Sequence, residues 1–267
     1  MEARSLAAAA LTWLVCGAAA AQTYEPYEGQ PGKDVVWVPT PPALIEKILD
    51  LAGVTSRDFV VDLGSGDGRL VIAAARRGAR ALGVEYDSDM VVLSRRNALA
   101  AGVADKARFE QGDMYEADFS RASVLALFLL PTNLRKLAPK FLEMPAGTRI
   151  VNNAYKIEGW EEDGSIPAEG YCVTWCTAYL YIVPAQVAGT WRLPAGELHF
   201  TQHLQTLSGT LLLPGGRKLN ADGRVRGDHV RFSVGLDVYE GRVSGNQMSG
   251  QASGALSGHW RATRVGN

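Results

Sequence analysis

The sequence predicts an α/β fold, a mostly parallel sheet with helices on both faces, followed by a small all-β barrel or sandwich. Three observations carry this. From about residue 43 to 154, short apolar runs alternate with amphipathic stretches, the pattern of βα units. A glycine-rich turn, "DLGSGDGR", closes the first apolar run. After Pro184 the alternation takes a period of two, broken by glycine roughly every eight to twelve residues and without a helical stretch.

The elements follow in order. "LIEKILDLAGV" is an amphipathic helix ahead of the sheet. Then come a strand at 59–63, a helix at 67–77, a strand at 80–85, a helix at 88–101 and a strand at 107–110. A strand at 123–129, a helix at 131–142 and a strand at 148–154 complete the parallel part. "SVLALFLL" is almost continuously apolar, as a central strand covered on both faces requires. "YCVTWCTAYLYIVP" is rich in β-formers and is expected to supply closing antiparallel strands.

Three segments are expected: 1–21, 22–186 and 187–267. Residues 6–21 are an uncharged Ala/Leu-rich run preceded by Arg4 and ending in Ala19-Ala20-Ala21, the pattern of an export signal cleaved before Gln22. The mature chain is then exported, periplasmic and without a stable membrane span. Residues 22–186 hold 17 Lys+Arg against 22 Asp+Glu, and residues 187–267 hold 9 against 5. The contrast marks two modules, the second a candidate for docking a partner. It is too dispersed for nucleic-acid binding. Cys172 and Cys176 are expected as two small buried thiols, and the four histidines, all beyond residue 198, have no metal-ligand spacing.

Gly64, Gly66 and Gly68 alternate, whereas a dinucleotide fingerprint needs G-x-G-x-x-G and here has Arg69 at the sixth position. Asp67 would repel a pyrophosphate at the helix start, and no Lys-Ser/Thr pair follows to make a P-loop. An acidic loop suits a cationic cofactor.

The pattern Asp62-x-Gly64-x-Gly66-x-Gly68 resembles the motif of class I S-adenosylmethionine-dependent methyltransferases. The resemblance implies a Rossmann-like methyltransferase sheet in which the backbone of Gly64, Ser65, Gly66 and Gly68 approaches the cofactor and Asp62 organises its amino-acid end. It implies Glu85 on the ribose hydroxyls and Asp113 at the adenine amino group, with Tyr86 and Met114 as walls of the adenine slot. "DVVWVPTPPALIEKIL", "VVDLGSGDGRLVIAAARRGA" and "LFLLPTNLRKLAPKFLEMPAGTRIVNNAYKIEGWEED" resemble, over about residues 33–163, the protein-lysine methyltransferases of mitochondrial membrane proteins and their bacterial relatives. The C-terminal β module has no counterpart there; its "GTW" opening and "HWRATR" ending resemble small calycin-type barrels, in which first and last strands pair.

The resemblance implies protein-lysine methylation, with a small-molecule methyltransferase and an exported noncatalytic binding scaffold as alternatives. The Asn/Asp-Pro-Pro-aromatic tetrad of base-amino methyltransferases is missing from "LLPTNLRKLAPKF". Trp37, Thr40, Pro131 and Asn133 are the candidate substrate mouth, and Asn153 and Tyr155 the candidate catalytic pair.

Overall fold

The computed structural model describes residues 24–168 and 174–266. The expected leader, the cleavage point at Gln22 and Cys172 lie outside the described residues. Helix α1 (Pro42–Leu51) has proline in its first turn, where a missing N–H costs nothing, and buries Leu44, Ile48 and Leu49 on one side. There follow β1 (Phe59–Leu63), α2 (Arg69–Arg76), β2 (Arg80–Glu85), α3 (Ser88–Ala100), β3 (Ala107–Gln111), β4 (Val124–Leu127), α4 (Pro131–Leu142) and β5 (Arg149–Asn153). These strands and β6 (Gly164–Pro167) and β7 (Thr177–Ile182) form one seven-stranded sheet in the order β3-β2-β1-β4-β5-β7-β6. The pairings from β3 to β5 are parallel, and β7 is antiparallel to both of its neighbours.

Alternation sorts the side chains. Val60 and Val151 join the core under α1 and α2, whereas Val61, Leu125 and Ile150 pack with Leu134 and Phe141 of α4. The strand order reverses between β2-β1 and β4-β5, which opens a crevice beyond the C-terminal ends of β1 and β4. Two elements differ from the sequence reading. Helix α2 begins at Arg69 because Gly68, its cap, is left-handed with φ 83°. Strand β6 comes from Gly164–Pro167, upstream of the expected stretch; its proline is tolerated because β6 is an edge strand.

The C-terminal module is a closed antiparallel barrel. Its strands are β8 (Gly189–Leu193), β9 (Gly196–His203), β10 (Thr206–Leu212), β11 (Lys218–Arg226), β12 (His229–Val234), β13 (Asp237–Ser244), β14 (Gln247–Ser253) and β15 (Gly258–Arg264). Strand β15 closes onto β8. Large side chains fill the interior: Trp191, Phe200, Phe232, Tyr239, Met248 and Trp260 are all buried, and the Phe232 and Tyr239 rings stack at 4.8 Å. Glycines in mid-strand let neighbours coil closely. A Cβ at Gly209 would lie 2.0 Å from the His199 carbonyl, and one at Gly250 would lie 1.9 Å from that of Glu240.

The barrel docks at the far end of the sheet from the crevice. The link into it leaves β7 at Ile182, which pairs with Arg149 at the start of β5. Ala185 N–H donates to the Gly227 carbonyl (2.8 Å) and Gln205 Nε2 to that of Glu161 (2.8 Å). Arg224 and Arg226 pair with Glu161 and Asp163 at 2.5 and 3.0 Å. Trp191 anchors the barrel core; it is fully buried, its Nε1–H donates to Val187 O (2.7 Å), and Arg264 lies over its ring. Trp191→Ala is expected to cost about 3–5 kcal/mol. Chemical denaturation checks this, and cofactor affinity should stay at the wild-type value because no barrel residue lines the crevice.

Candidate functional site

A cleft of ≈ 340 Å³ occupies the crevice. Its floor is the glycine loop and the strand ends, and its cover is the segment 30–40. The loop turns tightly because Gly64 and Gly66 are left-handed, with φ of 78° and 52°, a region costly for residues with a Cβ. Gly64 N–H (2.8 Å) and Ser65 N–H (3.1 Å) both donate to Val84 O, which ties the loop to β2. A Cβ at Gly66 would stand 2.4 Å from Trp37 Nε1, so the indole of the cover lies directly on the loop.

Asp62, next to last in β1, is buried, and among the described residues no side chain or N–H pairs with its carboxyl. Burial first, then the nearby Glu85 and Asp67 charges, push its pKa well above the ordinary carboxylate range. Glu85 at the end of β2 accepts from Gly66 N–H (2.8 Å) and Asp87 N–H (3.0 Å), and so holds the loop and the start of α3 together. Asp113 beyond β3 accepts from Tyr115 N–H (2.9 Å) and pairs with Lys33 of the cover, whose ammonium lies 4.8 Å over the Tyr86 ring. Lys33 and the Tyr115 N–H hold the Asp113 carboxyl below its usual range. Arg69 fastens the cover, donating to Thr40 O (2.9 Å) and pairing with Asp67 (2.6 Å).

These residues fit a sulfonium cofactor that also carries an ammonium group. An unpaired buried carboxylate needs a cation, and the buried Ser65 Oγ has no hydrogen-bond partner among the described residues. The left-handed glycines leave backbone open to a ligand.

The structure brings Asp62, Gly64, Ser65, Gly66, Glu85, Tyr86, Asp113, Met114, Trp37, Thr40 and Tyr155 to this cleft. Four expected residues do not line it. Gly68 serves packing, since a Cβ there would lie 2.6 Å from the Phe109 ring. Pro131 is in the first turn of α4, outside the cleft. Asn133 is buried beneath that helix start, accepting from Leu130 N–H (3.2 Å) and donating to Tyr115 OH (2.7 Å). Asn153 is fully buried, and neither atom of its amide has a partner among the described residues.

The neighbour Asn152, unnoticed in the sequence, does the fastening. Its Oδ1 accepts from Leu129 N–H (2.9 Å), and its Nδ2 reaches the carbonyls of Asn153 (3.0 Å) and Tyr155 (2.9 Å). That joins the end of β4 to the turn that carries Tyr155. Arg69 and Trp175 go equally unnoticed there; Trp175 N–H donates to Tyr155 OH (3.3 Å), and both residues line the cleft. The expectation of two free thiols is corrected, because Cys176 is disulfide-bonded.

The ANTKMT methyltransferase domain family matches residues 62–164. The protein-lysine N-methyltransferase of Saccharolobus islandicus is 36% identical over 152 residues, which are 56% of this chain and 94% of that protein. A human ATP synthase lysine N-methyltransferase is 31% identical over 170 residues, 63% of this chain and 70% of that protein. Among solved structures, an RNA methyltransferase from Salinibacter ruber in complex with S-adenosyl-L-homocysteine aligns with a TM-score of 0.53 and 43% identity. It covers 56% of this chain and 96% of that one.

Proposed function

The chain belongs to the protein-lysine methyltransferase family of class I S-adenosylmethionine-dependent enzymes, and we propose on that premise that it methylates lysine side chains of a protein acceptor. The observation that carries this reading is the cleft itself. Six carboxylates line it (Asp34, Asp62, Asp67, Glu85, Asp87 and Asp113) with only Lys33 and Arg69 as cations, while its other end is walled by rings. The acidic end suits the cofactor's positive charge, and the apolar end suits an amine that must shed its proton.

S-adenosylmethionine supplies a methyl group on a sulfonium that is already an activated leaving group. The chain's part is alignment and desolvation. Asp62 holds a cationic end, Glu85 and Asp113 the ribose and adenine ends, and the hydrogen bonds of Asn152 fix the wall opposite. Phe128, Leu129, Leu130 and Tyr155 exclude water where the acceptor enters, which favours the neutral amine. Its lone pair forms the new N–C bond, and its remaining proton leaves to solvent.

A protein acceptor is favoured over RNA because residues 22–186 carry 17 basic against 22 acidic side chains, a surface that repels phosphate. It is favoured over a small metabolite because the barrel has a packed interior and contributes nothing to the cleft. We further place the mature chain in an oxidising compartment, a reading supported by the export-like opening and by the bond at Cys176.

Incubation of the purified chain with methyl-labelled cofactor and a cell extract tests the reaction. Label is expected in protein, resistant to RNase and released by protease, with mass spectrometry locating it on lysine Nζ. Label confined to RNA or to the metabolite fraction would overturn the lysine reading.

A further inference from the structure

The acceptor end of the cleft carries Trp37, Phe128, Tyr155 and Trp175, each half-buried with part of its ring open to the cavity. Trp175 stands apart in origin. It lies beyond the segment matched by the family, 62–164, and it enters the site from the residues just before β7.

Its position is held from several sides. The Phe128 and Trp175 rings meet edge to face, with centroids 5.9 Å apart and planes at 61°. The indole N–H is bound to the Tyr155 hydroxyl, whose own turn is fixed by Asn152. The backbone at Trp175 is left-handed, with φ 57°, a conformation costing roughly 1–2 kcal/mol for a residue with a Cβ. The next residue, Cys176, is covalently tethered, its carbonyl accepts from Ala168 N–H (2.6 Å), and Thr177 already belongs to β7. A strained residue held this firmly and facing a cavity points to a function for its side chain.

Phe128 and Trp175 form a corner of two steeply inclined rings, with Tyr155 beside it. The carboxylates of the cleft sit instead on the glycine loop, after β2 and β3, and on the cover. A cation entering this corner meets ring faces in place of an ion pair, and such contacts favour bulky, weakly hydrated ammonium groups.

We propose that Trp175, together with Phe128 and Tyr155, forms a binding site for an alkylammonium group, and that Trp175 determines specificity on the acceptor side. The inference rests on the lysine reading above and deepens it, naming what recognises the side chain once it carries methyl groups.

The test uses the full mature chain saturated with S-adenosylhomocysteine. Calorimetric titration compares N-acetyl-Nε-trimethyl-lysine amide with its neutral tert-butyl isostere. Wild type is expected to prefer the cation by about tenfold or more, Trp175→Ala to lose that preference, and Trp175→Phe to keep most of it. S-adenosylhomocysteine affinity within about twofold of wild type in both variants establishes that they are folded. Equal affinity of wild type for cation and isostere would overturn the proposal, as would an unchanged preference in Trp175→Ala. The lysine reading fails separately: a cation preference with no lysine labelling in the extract keeps this site and removes that reaction.

Discussion

Glu85→Ala is expected to weaken cofactor binding by about 100-fold or more, the largest loss from any single side chain in the cleft. The carboxylate has two duties at once. It accepts from Gly66 N–H and Asp87 N–H, so the glycine loop and the start of α3 are both set by it. It also stands at the end of β2, one residue before Tyr86, where the likeness to class I methyltransferases places the ribose hydroxyls of the cofactor. Hydrogen bonds to a charged group contribute about 1.5–3 kcal/mol each, and tenfold in affinity corresponds to about 1.4 kcal/mol, so losing two reaches about 100-fold. Glu85→Gln keeps the size but offers only one acceptor oxygen, and should fall between the two. Titration with S-adenosylmethionine and S-adenosylhomocysteine decides it; an alanine variant within threefold of wild type would remove Glu85 from the cofactor site.

The acidic positions of this site were legible in the sequence for a physical reason. Asp62, Glu85 and Asp113 each end or follow a short apolar strand, and in a doubly wound sheet the ends of the strands define the crevice. The acceptor side was less legible. "RIVNN" places two amides in succession at a strand end, and a shift of one residue moves a side chain to the other face of the sheet. Asn153 was expected to act, whereas Asn152 makes the hydrogen bonds that hold Leu129 and Tyr155.

Asn133 shows a related ambiguity, since an amide three residues into a helix can cap the chain as readily as meet a substrate, and here it caps. Trp175 gave no local signal at all. It reaches the cleft only through a left-handed backbone and a covalent tether beside it, neither of which has a periodicity. For the barrel, alternation is equally compatible with a sandwich. Closure depends on twist accumulated over eight strands and on the close contacts permitted by mid-strand glycines such as Gly209 and Gly250.

Asp62→Asn is expected to move stability and binding in opposite directions. In the free protein the carboxyl is buried, lacks a partner among the described residues, and feels Glu85 and Asp67, so its pKa is raised far above that of the unfolded chain. The folded state therefore holds a proton that the unfolded state has already lost. Stability from this group is fully present below the unfolded carboxylate pKa, about 4, and declines as pH rises through the raised folded value. An amide carries no such penalty and forfeits no hydrogen bond seen here. At neutral pH and without cofactor, Asp62→Asn should melt higher than wild type, each kcal/mol of relief corresponding to about 2–4 °C for a domain of this size. The difference should vanish in acid.

With cofactor the order reverses. A cationic ligand beside Asp62 favours the carboxylate, so wild-type affinity should rise with pH through the raised pKa, and calorimetry in buffers of different ionisation enthalpy should show proton release on binding. The asparagine variant should bind roughly 10- to 100-fold more weakly above that pKa, with no pH dependence or proton release from this position. A variant no more stable than wild type at neutral pH, or an unchanged pH profile, would mean that Asp62 already has its counter-charge without the cofactor. The combination expected here is the mark of a carboxylate kept at a cost to the empty fold because its partner arrives with the ligand.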